Sequence, residues 1–195
     1  MATPTSHSEH PAERDALVVL YAATDGANWK SNRNWLSDVP IGRWPGVTTD
    51  EHGRVTHIHL NDNRLRGDIP PVVGEFANLR ELYLSQNQLT GELPRELGKL
   101  TNLRHLVLFQ NLLTGAIPRD LANLKHLERL VLYDNRLSGE IPITLGNLAN
   151  LKRLYLGRNQ FSGCIPAALR QVPENDLAKL GLMFSAGSTC ESPNP

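Results

Sequence analysis

The side chains best suited to bind a ligand in this chain are aromatic and basic residues spread along its central part. Aromatic residues and arginine are enriched at binding hot spots, because they offer large contact areas or several hydrogen-bond donors. The candidate ligand-binding residues are His59, Tyr83, Phe109, Tyr133, Tyr155, Arg129, Arg153 and Arg158. The alternative interpretation is a solvated surface on which aromatic residues occur by chance.

One small group of these residues could bind a metal ion. His57, His59 and Glu81 would come close together if their segments were adjacent strands, which lie about 4.8 Å apart. Histidines exposed on strands are more often simply polar surface residues. We therefore expect no metal site and no cofactor.

A second group could bind an anion. Arg129 and Arg153 are 24 residues apart and would sit on neighbouring strands, where they could clamp a carboxylate between them. That arrangement favours a peptide terminus, an acidic peptide or an acidic glycan as the ligand. Alternatively, the two arginines only repel each other and stay solvated, partly neutralised by Glu128 and Asp134.

The sequence carries no enzyme signature. It contains no GxSxG, no HExxH, no phosphate-binding P-loop and no dinucleotide fingerprint. Its carboxylates are scattered, so no pair stands out as a general acid and base. We therefore expect no catalytic residue and a binding function instead of catalysis.

Composition limits the kinds of partner. Twenty Lys and Arg residues balance 20 Asp and Glu residues, and zero net charge argues against nucleic acid and anionic membranes as partners. No apolar run approaches the roughly 20 residues of a spanning helix. The first residues lack the apolar segment of a signal peptide, which favours a cytoplasmic protein, or a secreted one if a leader has been removed. We expect a monomer that binds a protein or peptide, with a glycan as the alternative ligand.

The elements that must position these side chains come from an internal repeat. Five copies of one pattern follow each other at a constant period of 24 residues, starting at Val55, Leu79, Leu103, Leu127 and Leu151. Two apolar positions in each copy are two residues apart, as in Leu106 and Leu108, which is the alternation of a strand with one buried face. The sequence predicts five short strands side by side in a parallel sheet.

Polar and turn-forming residues recur just as regularly. An asparagine amide can both donate to and accept from turn backbone, so the structural candidates are Asn63, Asn87, Asn111, Asn135 and Asn159. Each copy then has a glycine and a proline, followed by apolar residues three apart, such as Leu97 and Leu100. That spacing predicts a short helical or 3₁₀ turn on the opposite side from the strands.

The repeat pattern LxxLxLxxNxLxGxIPxxLGxLxx resembles the plant-type leucine-rich repeat of receptor-kinase ectodomains, polygalacturonase inhibitors and many microbial and algal proteins. The resemblance implies an α/β solenoid. Such a right-handed superhelix has a parallel concave sheet, a short second sheet at LxGxIP, and helical or 3₁₀ turns on its convex side. It also implies binding of peptides, proteins or glycans by the concave face.

The segments that flank the repeats are predicted to be caps, because a solenoid has open ends. Ala16, Leu17, Leu20 and Tyr21 share one face of a predicted helix. The tryptophans of this region either shield the first strand or form a sugar-binding platform. The region resembles the N-terminal cap of microbial and algal relatives, whereas plant versions place a cysteine pair where this chain has Thr48 and Thr49.

The predicted organisation has four parts. They are a disordered N-terminal tail at 1–12, an N-terminal cap at 13–54, five repeats at 55–174, and a C-terminal cap and tail at 175–195. Leu177, Leu180 and Leu182 are predicted to cover the last repeat in a helix-like segment. A disulfide between Cys164 and Cys190 is predicted for the purified protein, although a reducing cytosol would oppose it.

Overall fold

The computed structural model describes residues 10–186 and 189–191, and most of its regular elements are short. One α-helix, α1, spans Pro11–Ala23. The strands are β1 (Val47–Thr49), β2 (Val55–His59), β3 (Arg66–Asp68), β4 (Glu81–Tyr83), β5 (Gln88–Thr90), β6 (His105–Val107), β7 (Arg129–Val131), β8 (Ser138–Glu140), β9 (Arg153–Tyr155), β10 (Gln160–Ser162), β11 (Cys164–Ile165), β12 (Glu174–Asn175), β13 (Met183–Ala186) and β14 (Thr189–Glu191). The 3₁₀ helices are Gly26–Asn28, Ile41–Arg43, Pro71–Glu75, Arg95–Lys99, Arg119–Asn123, Ile143–Asn147, Ala167–Gln171 and Leu177–Leu180.

The concave surface is one sheet in the order β1-β2-β4-β6-β7-β9-β12. Strands β2, β4, β6, β7 and β9 run parallel, and Leu82 of β4 pairs in register with Ile58 of β2 and Leu106 of β6. Each register partner lies one sequence period away, so one repeat advances the chain by one strand. The predicted solenoid with a parallel concave sheet is confirmed.

The two outermost strands of this sheet come from the caps. Strand β1 pairs antiparallel with β2, and β12 pairs parallel with β9. Neither segment carries the repeat pattern, so the sequence predicted only the five strands between them. Each cap therefore extends the sheet by one strand as well as covering its end.

The core is a continuous column of leucines between the sheet and the convex turns. Leu106 on the strand side and Leu121 on the convex side are both 0% exposed. Pro118 precedes the 3₁₀ helix Arg119–Asn123, as the sequence predicted for each proline. The second sheet is interrupted: β3 pairs with β5 and β8 with β10, with a single bridge between Glu92 and Thr114 among the described residues.

The asparagine column binds neighbouring repeats together at the bend after each strand. Asn111 donates from Nδ2 to the carbonyls of Leu84 and Leu108, at 3.0 and 3.1 Å. Its Oδ1 accepts the amide of Leu89, at 3.1 Å. One side chain thus joins the backbone of two repeats. The residue before each asparagine adopts a left-handed conformation, with φ between 48 and 59° at Asp62, Gln86, Gln110, Asp134 and Arg158.

The N-terminal cap is built on an aromatic cluster. Trp35 lies between Trp29 and Trp44, with ring centroids at 4.8 and 4.9 Å, and Tyr21 of α1 stacks on it at 5.6 Å. The three tryptophans are only 1 to 6% exposed, so they shield the first strand and offer no open platform for a sugar. Helix α1 begins at Pro11, inside the segment that the sequence analysis assigned to the tail.

The C-terminal cap is smaller and consists of a 3₁₀ helix and strands. Leu177 is 1% exposed, while Leu180 and Leu182 are partly buried against the core. Strand β13 pairs with β11 and β14 beside it. Among the described residues, no helix has the length and apolar character needed to cross a membrane.

Candidate functional site

The eight candidate binding residues lie on or beside the concave strands but form two separate groups. His59 and Tyr83 belong to β2 and β4 at the N-terminal end. Phe109, Tyr133 and Tyr155 border one depression at the C-terminal end.

The N-terminal group is a set of side chains that bind one another. We call it the histidine–tyrosine cluster, and it comprises His57, His59, Glu81, Tyr83 and His105. Tyr83 stacks between His59 and His105, with ring centroids at 4.5 and 6.0 Å. The Glu81 carboxylate lies 2.9 Å from His59 Nε2 and 3.1 Å from His105 Nδ1. The Tyr83 hydroxyl lies 2.8 Å from the same His105 nitrogen.

Burial shifts the titration of two members of this cluster. Burial lowers the pKa of His105, and the guanidinium of Arg129 lowers it further, against the opposing attraction of Glu81. Burial also raises the pKa of the Tyr83 hydroxyl, with a further contribution from the Glu81 charge. Both side chains are therefore held in their neutral forms at neutral pH.

The same contacts involve the three residues of the metal site that the sequence suggested, His57, His59 and Glu81. The register pairs Glu81 with His57, yet it is His59 that hydrogen-bonds directly to Glu81. His57 instead lies 2.9 Å from the hydroxyl of Thr56. Across the described part of the chain, no group of three His, Cys, Asp or Glu residues is arranged to hold a metal ion.

The C-terminal group surrounds an open depression of about 550 Å³, which we call the C-terminal depression. Repeat strands and the cap both contribute to it, and its lining residues are Phe109, Val131, Tyr133, Tyr155, Asn175, Asp176 and Lys179. The guanidinium of Arg158 lies over the Tyr133 ring, 5.4 Å from its centroid. The volume of the C-terminal depression falls within the range of about 300–1,000 Å³ that is typical of ligand pockets.

Sequence reasoning missed the contribution of the cap to this depression. Asn175, Asp176 and Lys179 follow the last repeat and share no column with the other lining residues. Asp176 is 5% exposed and accepts the amides of Leu156 and Gly157, at 2.8 and 2.7 Å. The pattern available in the sequence was the run of three polar residues Glu174, Asn175 and Asp176 at the end of the last repeat. Only the fold shows that this run turns back over β9.

Gly157 makes room for this arrangement. It occupies the position that holds Phe109 and Tyr133 in the preceding repeats. A Cβ atom at Gly157 would lie 2.5 Å from the Asp176 carboxylate and 3.3 Å from the Tyr133 ring. The absence of a side chain therefore lets the cap carboxylate reach the backbone and keeps one side of Tyr133 open.

The two arginines of the predicted anion clamp have different surroundings. Arg153 forms an ion pair of 2.6 Å with Glu174 of β12. Arg129 instead lies near Tyr83 and His105, where its charge acts on both side chains. Glu128, one of the two carboxylates expected to neutralise the arginines, binds Arg104 and Lys152 instead, and the hydrogen bond from Lys152 lowers its pKa.

Two further depressions lie away from the concave face. One, of about 880 Å³, runs along the second sheet and has buried apolar residues such as Ile69 and Leu93 at its base. Another, about 640 Å³, is bordered by the exposed Ile143 and by Cys164. Cys164 is disulfide-bonded, but the side chain of Cys190 lies outside the described residues, so their pairing stays a prediction.

Comparison with known proteins identifies the family. The model of the Leucine rich repeat family matches residues 53–113, and a second Leucine Rich Repeat model matches 126–148 and 150–172. The BIR2 ectodomain from Arabidopsis thaliana is 31% identical, with a TM-score of 0.77, over 89% of this chain and 98% of that one. This chain belongs to the leucine-rich-repeat family.

Other solved structures place this leucine-rich-repeat protein beside plant receptor ectodomains. The PEPR1–AtPEP1 structure is 32% identical with a TM-score of 0.77, over 85% of this chain and 24% of that one. The BIR3–SERK2 complex from Arabidopsis thaliana is 30% identical with a TM-score of 0.69, over 90% of this chain and 100% of that one. No curated protein sequence matches the chain.

Proposed function

We propose that this leucine-rich-repeat protein is a recognition module that binds a protein or peptide on the concave face of its solenoid. The observation that carries the proposal is the partly exposed aromatic surface formed by Phe109, Tyr133 and Tyr155. The leucine core packs without these rings, so their exposure has no role in holding the solenoid together. Large aromatic side chains in an open depression are typical of binding hot spots.

The similar structures support this choice of ligand. One of them holds PEPR1 with AtPEP1, and another holds BIR3 with SERK2. We propose that the ligand contacts the predicted residues of the concave face, with Arg129, Arg153 and Arg158 favouring an acidic partner. We further propose that the chain groups with microbial and algal members of the family, because Thr48 and Thr49 stand where plant caps carry cysteines.

Binding is a better use of this face than catalysis. The titratable groups of the histidine–tyrosine cluster bind one another, and Arg153 is paired with Glu174. A general acid or base needs an atom that a substrate can reach. The open, unoccupied surface is instead aromatic, which suits contact with a ligand.

A randomised peptide library displayed on phage and panned against the full chain tests the proposal. Selected peptides are then measured against a Phe109→Ala/Tyr133→Ala variant. We expect at least a tenfold loss of affinity, because hot-spot aromatics each contribute more than about 1 kcal/mol.

Ile143→Ala is the matched control, because Ile143 is 70% exposed but lies beside the second sheet. It should leave peptide affinity unchanged. The proposal is wrong if panning yields no binders, or if the selected peptides tolerate the double variant and lose affinity with Ile143→Ala.

A further inference from the structure

The two ends of the concave face differ in how many polar groups still need a partner. In the histidine–tyrosine cluster, the Tyr83 hydroxyl, the Glu81 carboxylate and His105 already form hydrogen bonds. In the C-terminal depression, the side chains of Tyr133, Tyr155 and Lys179 form no hydrogen bond with another described residue. The depression therefore has unused polar groups where the cluster has none.

The polar groups left unused in the depression can all donate a hydrogen bond. Both oxygens of Asp176 accept backbone amides. The amide of Asn175 is also engaged, donating to the Val172 carbonyl at 2.8 Å and accepting the Leu177 amide at 3.1 Å. What remains at the rim is one ammonium group and two phenolic hydroxyls, all able to donate.

The base of the depression is apolar. Phe109 and Val131 contribute to it together with the Tyr133 and Tyr155 rings. A ligand that fills this space must bury an apolar group against the rings and offer hydrogen-bond acceptors to the rim. A neutral sugar would bring hydroxyl donors as well as acceptors, while the Asn175 amide and the Asp176 carboxylate at the rim already bond to backbone groups.

Charge selects among the remaining ligands. Lys179 has no carboxylate partner among the described residues, whereas Arg153, Arg158 and Lys152 each face one. Glu174 and Asp134 thus pair with the arginines close to the depression, while Lys179 forms no ion pair with the Asp176 carboxylate that lines the same depression. An anionic group of the ligand is the complement to that lysine.

We propose that the C-terminal depression is a subsite for an acidic–apolar peptide segment, in which an aromatic or large aliphatic side chain packs on Tyr133 and Tyr155 while a neighbouring carboxylate pairs with Lys179. This assignment rests on the proposed peptide-binding function and gives it a location and a ligand chemistry. The cap, through Lys179, sets the charge preference, and the repeats supply the apolar contact.

The test uses an array of synthetic peptides with randomised flanks around a central Phe, in which the next residue is Asp, Asn or Lys. The full chain should retain the Asp peptides about tenfold more strongly than the Lys peptides, with Asn between them. Lys179→Glu should reverse this order. Tyr133→Phe/Tyr155→Phe, which keeps the rings and removes the hydroxyls, should weaken the Asp peptides while retaining an apolar preference.

Lys125→Glu is the matched control, because it makes the same change of charge at an exposed lysine on the convex side. It should keep the preference for Asp. If Lys179→Glu retains that preference, or if Lys125→Glu reverses it equally, the subsite assignment is overturned while peptide binding stands. If no array peptide binds the unaltered chain, both the subsite and the proposed function are overturned.

Discussion

The two caps complete the two ends of the same sheet with different residues. At the N-terminal end, Trp35 and Trp44 form part of a large aromatic cluster, and the buried Glu13 accepts the amide of Val55 at 2.7 Å. At the C-terminal end the apolar cover is small, and Asp176 accepts two amides of the last repeat. Both caps thus provide a buried carboxylate for backbone donors that have no further repeat to bind.

The difference shows that closing a solenoid involves two separate tasks. Apolar area must be covered, and the amides at the sheet edge must be paired. The N-terminal cap covers mainly apolar area and pairs one amide with its carboxylate. The C-terminal cap relies more on hydrogen bonds, and four comparisons of variants test this contrast.

The largest effect is expected in the aromatic cluster. Trp44→Ala should lower the free energy of unfolding by about 3–5 kcal/mol, because Trp44 is 1% exposed and its loss leaves a cavity. Urea denaturation measures the change. Val19→Ala, at a side chain 45% exposed on α1, is the control and should stay within about 0.5 kcal/mol of the unaltered protein. Equal losses in the two variants would contradict the structural role of the cluster.

The C-terminal carboxylate should have the next largest effect. Asp176→Ala leaves the amides of Leu156 and Gly157 without their partners, at a cost of about 2–4 kcal/mol. Asp176→Asn should cost less, since its amide oxygen can still accept one of them. Asp120→Ala, at an exposed carboxylate, serves as the control in the same urea titrations. An Asp176→Ala midpoint no lower than that of Asp120→Ala would refute the capping role.

Within the asparagine column, we expect a smaller difference in stability, between a position in the first repeat and one in the middle of the solenoid. Asn111 uses both its oxygen and its amide group, whereas Asn63 accepts the Ser31 amide but its buried Nδ2 has no partner. Asn111→Ala should therefore cost about 2–3 kcal/mol and Asn63→Ala about 1 kcal/mol. Thermal melts of both variants measure the difference. A larger loss for Asn63→Ala than for Asn111→Ala would contradict this difference in their hydrogen bonds.

The smallest effect is a pH dependence at the N-terminal cap. Burial raises the pKa of Glu13 above its ordinary value, although the Val55 amide opposes this. Its contribution to stability is therefore complete below the ordinary glutamate pKa and is lost as the pH rises through the raised value. Glu13→Gln should be more stable than the unaltered protein near pH 8 and lose this advantage near pH 4. Melting curves across this range test it, with Glu92→Gln, at an exposed position, as the control.

The repeat region was predictable because the apolar, asparagine, glycine and proline positions of its pattern each recur five times in the same setting. The spacing of Leu106 and Leu108 gave the strand, and the constant period gave the register that pairs His57 with Glu81 and His59 with Tyr83. The caps occur once each, so β1 and β12 had no column to reveal them. A single sequence cannot show which unrepeated polar residues fold back onto the sheet.

The candidate site was predictable only where the repeats form it. Tyr133 and Tyr155 were identified from their positions on the strands, and both border the C-terminal depression. Lys179 was not identified, because its position depends on the path of the chain after Val172. The pairing of Arg153 with Glu174 escaped prediction for the same reason, since β12 places that carboxylate beside β9.

The unbroken register of the repeats also lets this surface change in length by whole units. Each repeat ends in the orientation in which the next one begins. Asn111 and Asn135 each donate the same kind of hydrogen bond to a carbonyl of the preceding repeat. An in-frame duplication of residues 103–126, the repeat that carries both His105 and Phe109, would therefore insert one strand, about 4.8 Å from its neighbour, between the two caps. The histidine–tyrosine cluster and the C-terminal depression would move apart by that step with their own contacts intact. The spacing between the two recognition elements can therefore change in evolution while the residues that form each element stay the same.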